Sequence, residues 1–155
     1  MTRAAKKGRI LLAEDDPRDV DLVLEALARH QLAGKVDVVN DGAQALDYLY
    51  RHNEWSQRPE EPPLVILLDL KMPRVGGLEV LRTVRADPRL RLIPAVMLTS
   101  SREESDLVDS YRVGANAFVV KPIVFSEFVS AVADVAAYWV FFNEPPPGTG
   151  ASESA

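Results

Sequence analysis

Five times along this chain a short apolar run gives way to a segment whose apolar residues recur at helical spacing. That alternation constrains the fold more than any other feature. Residues 9–13 (RILLA), 64–68 (LVILL), 95–98 (AVML) and 118–120 (FVV) are rich in Ile, Leu and Val and read as strands buried on both faces. Residues 35–39 (KVDVV) alternate more and belong nearer an edge. Between the runs, Val20, Val23, Leu24 and Leu27 fall at i, i+3, i+4 and i+7, with Asp16 as N-cap, Pro17 at the first helical position and Asp19 and Asp21 in the first turn. Further helices are predicted over 42–51, 77–85, 102–113 and 124–142; Ser101 and Glu104 open the fourth in capping-box spacing and Gly114 stops it. Parallel neighbours joined by helices need right-handed crossovers, so the fold class is α/β, a doubly wound five-stranded parallel sheet with five helices.

The 155 residues suffice for one such domain. The expected organisation is an N-terminal segment over 1–8, the domain over 9–142 and a Pro/Gly/Ser-rich tail over 143–155. Residues 52–63 (HNEWSQRPEEPP) form a polar loop on the side away from the strands' carboxyl ends. There is no cysteine, which excludes a disulfide framework, a thiolate zinc site, an iron–sulfur cluster and a cysteine nucleophile. Lys and Arg number 18 against 23 Asp and Glu, a net charge of -5 and the wrong sign for a domain that holds nucleic acid through its phosphates. The basic start (Arg3, Lys6, Lys7, Arg9) precedes an apolar stretch too short for a signal peptide, and the longest apolar run, 135–142, falls far below the roughly 18 residues that span a bilayer. A soluble, cytoplasmic protein is expected, with neither nucleic acid nor membrane as partner.

In an open α/β sheet the ligand site lies at the carboxyl ends of the strands. The polar residues that terminate these strands are Glu14, Asp15 and Asp16, then Asp69, then Thr99 and Ser100, then Lys121 followed by Pro122. Carboxylates about 5 Å apart repel by roughly 3 kcal/mol per pair at an effective dielectric near 20, so such a cluster calls for a cation. Hard oxygen donors with no His or Cys nearby suit magnesium, and a lysine beside it suits a phosphoryl group. Plainer roles remain open: Asp15 or Asp16 as a helix cap, Thr99 as an ordinary strand residue, Lys121 as a solvated strand end. Gly76 and Gly77 form no phosphate-binding glycine pattern and suit a tight turn. His30 and His52 lie at a helix end and in a loop, so a phosphohistidine has to come from another protein.

With these residues in place the chain resembles the receiver domain of two-component response regulators. The likeness runs over about 9–140 and rests on LLAEDDP, LLDLKMPRVGG, the LTS hydroxyl at Thr99, and FVVKP. It implies a flavodoxin-like sheet of strand order 2-1-3-4-5 and an Asp69 that attacks a phosphohistidine of a sensor histidine kinase. It further implies Mg2+ held by Asp15, Asp69 and the backbone carbonyl of Lys71, with Glu14 acting through water and Lys121 pairing with the phosphoryl oxygens. Thr99 and Phe118 would form the switch pair, and a cis peptide is common before the proline at Pro122. Such a protein catalyses only its own phosphorylation and dephosphorylation.

The chain ends soon after the fifth helix, so output through protein contacts is expected. The Trp55-bearing loop, Asp87-Pro88 and the WVFFNEPPP ending look like the single-domain regulators that serve bacterial phytochrome kinases. Residues 136–142 (AAYWVFF) are apolar all round the helix, and Tyr138, Trp139 and Phe142 are the expected centre of a homodimer reached also by the tail. Two other readings compete. A haloacid dehalogenase-like magnesium phosphohydrolase would need a second Asp where Lys71 stands, and a flavin-binding module would need Ser, Thr and Gly where the first strand ends in acids. A phosphorelay intermediate for another kinase is a further alternative.

Overall fold

The computed structural model describes residues 7–100, 104–121, 125–144 and 146. Ser101, Val124, the peptide bond into Pro122 and most of the tail lie outside them. Five strands, β1 (Ile10–Ala13), β2 (Val36–Val39), β3 (Val65–Asp69), β4 (Ala95–Thr99) and β5 (Ala117–Val120), form one parallel sheet in the order β2-β1-β3-β4-β5. The helices are α1 (Pro17–Ala28), α2 (Gly42–Tyr50), α3 (Gly77–Ala86), α4 (Glu104–Val113) and α5 (Phe125–Ala137), and α5 continues as a π-helical turn over Tyr138–Phe142. The expected fold class and strand order hold, and strand and helix ends move by a residue or two, as frayed termini do.

The pleat sorts the strand residues to two cores. Ile10, Leu12, Val65, Leu67, Val96 and Leu98 face α1 and α5, where Val23, Leu27, Phe128, Val129, Val132 and Val140 close the layer. Leu11, Ala13, Ile66, Leu68, Ala95 and Met97 face the other way, against Ala45, Leu49, Val80, Leu81 and Val84. The central strands β1, β3 and β4 are buried at every position. β2 is half-buried over three of its four residues, as its alternation predicts. β5 departs from the expectation: every residue is half-buried, because β5 is the opposite edge.

Local chemistry sets the helix ends. Asp16 caps α1 by accepting from the Arg18 N–H at 2.9 Å, with Pro17 in the first turn, so its cap reading holds. Gly114, at φ +122°, ends α4 in the left-handed region. The end of α5 needs correction. Val140 is fully buried and Trp139 and Phe141 pack on the α1/α5 core, while Tyr138 and Phe142 stay 50% and 56% exposed. The wide turn re-phases an all-apolar sequence so that, of the three aromatic residues expected at the dimer centre, Trp139 turns to the core while Tyr138 and Phe142 keep about half of their surface exposed.

Candidate functional site

Strand register brings the polar strand ends to one level. Ala13 pairs with Leu68, so Glu14 comes level with Asp69, and the Glu14 N–H carries the ladder on to the Val39 carbonyl at 3.0 Å. Asp69 pairs with Leu98, Thr99 with Val120, and the Lys121 N–H donates to the Thr99 carbonyl at 2.7 Å. Glu14, Asp69, Thr99 and Lys121 thus lie on the last rung of their strands or one residue past it, which fixes their backbone by sheet hydrogen bonds rather than by a loop.

Glu14, Asp15 and Asp69 each offer a carboxylate oxygen within 4.8 Å of the others. Glu14 and Asp69 are buried and Asp15 is exposed. Lys121 enters from β5: its ammonium donates to Glu14 Oε1 and to Asp19 Oδ2 at 2.7 Å, and lies 3.8 Å from Asp69 Oδ1. Burial pushes the Glu14 carboxyl up to about 7, against the hydrogen bond from Lys121 and with help from the Asp69 charge. Asp69 is raised by burial, with Lys121 opposing and Asp15 adding repulsion. Burial alone would lower Lys121; its bonds to Asp19 and Glu14 outweigh that and raise it. A three-carboxylate set with no imidazole or thiolate, one member open to solvent, fits a hard divalent cation that keeps part of its water shell.

Thr99 is buried at the end of β4, and Phe118, half-buried, packs on the α2/α3 core from β5. Lys71 sends its side chain to Asp106 at 4.0 Å. His30 and His52 are both exposed.

The loop after Asp69 is held from several directions. Arg74, at φ +66°, makes a two-pronged pair with Asp41 (2.9 and 3.1 Å), while Asp41 also caps α2 by accepting from the Gln44 N–H at 2.8 Å. The Gly77 N–H donates to the Leu70 carbonyl at 2.8 Å, and a Cβ on Gly77 would stand 2.0 Å from the Asp69 carbonyl oxygen. Gly77 therefore serves close packing, as its sequence context suggested. Asp19, Asp41 and Arg74 escaped the sequence reading. Asp19 passes for an ordinary first-turn acid, and only the tertiary fold shows that it faces Lys121.

Comparison with known proteins agrees with this geometry. The model of the response regulator receiver domain matches residues 10–133. FilR2 of Methanothrix harundinacea, described as a probable methanogenesis regulatory protein, is 36% identical over 137 residues, 88% of this chain and 86% of its own. The response regulator Rcp1 of Synechocystis sp. is 33% identical over 131 residues, 84% of this chain and 88% of its own. The solved Mn(2+)-bound form of Rcp1 superposes with a TM-score of 0.82 at 31% identity, over 90% of this chain and 99% of that one. The bacteriophytochrome response regulator RtBRR is 58% identical, covers 92% of this chain and 86% of its own, and has a TM-score of 0.73. The chain belongs to the response regulator receiver domain family, a family of signalling proteins, and the phosphohydrolase and flavin readings are not favoured. Among the described residues no helix is long and apolar enough to cross a membrane.

Proposed function

We propose that the protein accepts a phosphoryl group on Asp69 from the phosphohistidine of a sensor histidine kinase, in a bacterial phytochrome pathway, and passes the signal on by protein contacts. The observation that carries this reading is the meeting of Glu14, Asp15 and Asp69 within 4.8 Å, with the Lys121 ammonium 3.8 Å from Asp69. A carboxylate oxygen of Asp69 forms the new bond to phosphorus while the phosphorus–nitrogen bond breaks, and the departing imidazole takes up a proton. Lys121, already paired with two carboxylates, exchanges part of that pairing for the phosphoryl oxygens. Asp15, Asp69 and the Lys71 carbonyl would hold Mg2+, with Glu14 reaching it through water; the bound ion would neutralise the charge on the transferring oxygens. Mg2+ is preferred for its small, oxygen-only shell, and the Mn(2+)-bound form of Rcp1 supports a divalent ion of that kind.

Thr99 and Phe118 then act as the switch, the hydroxyl following the phosphoryl group and the aromatic ring turning inward behind it. The domain spans 9–142, works in the cytoplasm and needs neither nucleic acid nor membrane. Tyr138, which meets Trp139 edge to face (5.1 Å, 84°), and Phe142 centre a homodimer. Trp139 contributes mainly by holding Tyr138, since it is itself packed on the core. The test is intact-protein mass after incubation with Mg2+ and a small acyl phosphate. One phosphoryl group is expected on the unaltered chain and none on Asp69→Asn; equal labelling of both would move the acceptor elsewhere.

A further inference from the structure

At the other end of the sheet the chain changes sign. Between residues 82 and 91 it places Arg82, Arg85, Arg89 and Arg91 around a single acid, Asp87, in a protein whose net charge is -5. There the C-terminus of α2, the 52–63 loop and the segment after α3 enclose a concavity of about 480 Å³. Its charged lining is Arg51, Arg58 and Arg89 against one carboxylate, Glu60. Asp87, behind the rim, is occupied by the Tyr50 hydroxyl at 2.7 Å and by Arg89.

The walls are built. Arg58 spreads its hydrogen bonds over the carbonyls of Tyr48, Leu49, Pro59 and Glu61, with its guanidinium 4.3 Å above the Tyr48 ring. Arg85, just outside, bonds the carbonyls of Gly114, Arg91 and Ile93 and the side-chain oxygen of Asn116. Among the described residues neither cation makes a direct ion pair with a carboxylate, so their charge is solvated mainly by dipoles. Burial lowers both from the ordinary arginine value, with the charges of Tyr48 and Asp37 opposing it at Arg58. Inside this basic rim the surface is apolar: Leu49, Leu90 and Ile93 are buried, Pro62 and Pro88 line the side, and Leu92 stands 52% exposed at the lip.

We propose that this basic, apolar-floored concavity is a docking site for an acidic segment of a partner protein that carries an aliphatic side chain between its carboxylates. Charge complementarity selects the acid and the floor selects the side chain; a nucleic acid backbone would use the arginines and leave Leu49, Leu90 and Leu92 without a partner. A second copy offering its acidic end would make a head-to-tail contact, which self-association at raised protein concentration would reveal. The site is independent of phosphorylation, since it lies at the opposite end of the strands from Asp69.

The probe is the peptide Glu-Glu-Leu-Glu-Glu-Leu-Glu-Glu, titrated into the full chain and followed by amide chemical shifts, beside a version with serine for leucine and a twelve-residue oligothymidine. Binding tighter than about 1 mM is expected, with shifts at residues 49–51 and 89–93. The serine version should lose at least fivefold, and Arg51→Glu with Arg89→Glu at least tenfold. Leu92→Ser should lose about threefold, and acyl-phosphate labelling of Asp69 should stay unchanged in all variants, which keeps loss of fold separate. The proposal is overturned if the peptide does not bind, if shifts fall at Glu14 and Asp69 instead, if the variants bind equally, if oligothymidine binds there as tightly, or if the same shifts arise from protein concentration alone.

Discussion

At the carboxyl ends of the strands Glu14, Asp15 and Asp69 crowd within 4.8 Å, and the cation that reaches them among the described residues is Lys121. At the amino ends Arg58 and Arg85 are partly buried as well, yet they are met by backbone carbonyls. The two ends show two ways to hold charge in a folded domain. Carbonyl dipoles are fixed in place and bring no charge of their own, so they make a cation permanent and structural. Carboxylates facing one lysine stay short of positive charge, and that deficit is what a divalent ion or a change in phosphorylation can act on. Mutations at the acidic end should therefore change ligand behaviour first, and those at the basic end stability first.

The sharpest contrast lies within the acidic end. Asp15→Ala removes the carboxylate proposed as a direct ligand, and since outer-shell changes at metal sites already cost about 10- to 100-fold in affinity, a loss of roughly 100-fold or more in Mg2+ affinity is expected, together with phosphotransfer. Lys121→Ala removes a positive charge beside the cation, so Mg2+ should bind at least as well while phosphorylation is impaired. It also leaves buried Glu14 without its ammonium partner, so the metal-free protein should melt earlier and Mg2+ should restore much of the difference. Calorimetric Mg2+ titration and melting with and without the ion check all three; loss of Mg2+ binding in Lys121→Ala would contradict the division of roles.

Gly77→Ala comes next. The added Cβ would sit 2.0 Å from the Asp69 carbonyl oxygen and 3.0 Å from Leu70 Cα, both backbone atoms that cannot swing away. A cost of about 3 kcal/mol or more is expected by chemical denaturation, at the upper end for overpacking. Because the clash falls on the peptide unit of Asp69, the proposed phosphoacceptor, the surviving folded fraction should also phosphorylate more slowly.

Sheet and site were legible for one reason. Buried parallel strands are nearly pure Ile, Leu and Val, so the first polar residue after each run marks a strand end, and Glu14, Asp69, Thr99 and Lys121 are those residues. The half-burial of β5 was hidden because FVV carries no sign of which strand takes the edge. The phase of the α5 ending was hidden because AAYWVFF is apolar in every direction, leaving no polar face to set the turn. The partners of Arg58, Arg74 and Arg85 were illegible for a different reason: a loop or surface arginine finds carbonyls or an acid only through tertiary neighbours, as Arg74 finds Asp41 across 33 residues.

Arg58→Met tests the basic end. It keeps much of the apolar stem but removes the hydrogen bonds to the carbonyls of Tyr48 and Leu49 at the end of α2, as well as the contact over the Tyr48 ring. Bonds from a charged donor are worth about 1.5–3 kcal/mol each and are not additive, so a loss of roughly 2 kcal/mol is expected in urea. Phosphorylation of Asp69 in the folded protein should be unchanged. A fall in labelling as large as that of Asp15→Ala would erase the distinction between the two ends.

The smallest effect concerns an ion pair at the basic end that does contain an acid. Asp37, on β2, accepts from Arg9 at 2.8 and 3.2 Å and from the Tyr48 hydroxyl at 2.7 Å. Burial alone would raise its pKa, but the Arg9 and Tyr48 hydrogen bonds, with the charges of Arg9 and Arg58, bring it below the ordinary value of 3.8. For a carboxylate depressed in the folded state, the unfolded chain takes up its proton first as pH falls. The stabilisation is therefore complete above the unfolded value and is lost as pH drops through the folded one. The urea midpoint of the unaltered chain should fall between about pH 4 and pH 2 more steeply than that of Asp37→Asn, and the two should run parallel above pH 5. Asp37→Asn itself should cost about 1 kcal/mol at neutral pH, since the amide can still accept from one donor while Arg9, 44% exposed, regains water. Parallel curves down to pH 2 would show that Arg9 is solvated there as Arg58 is, by carbonyls such as that of Gly34 at 3.1 Å, and that its pair with Asp37 adds no stability.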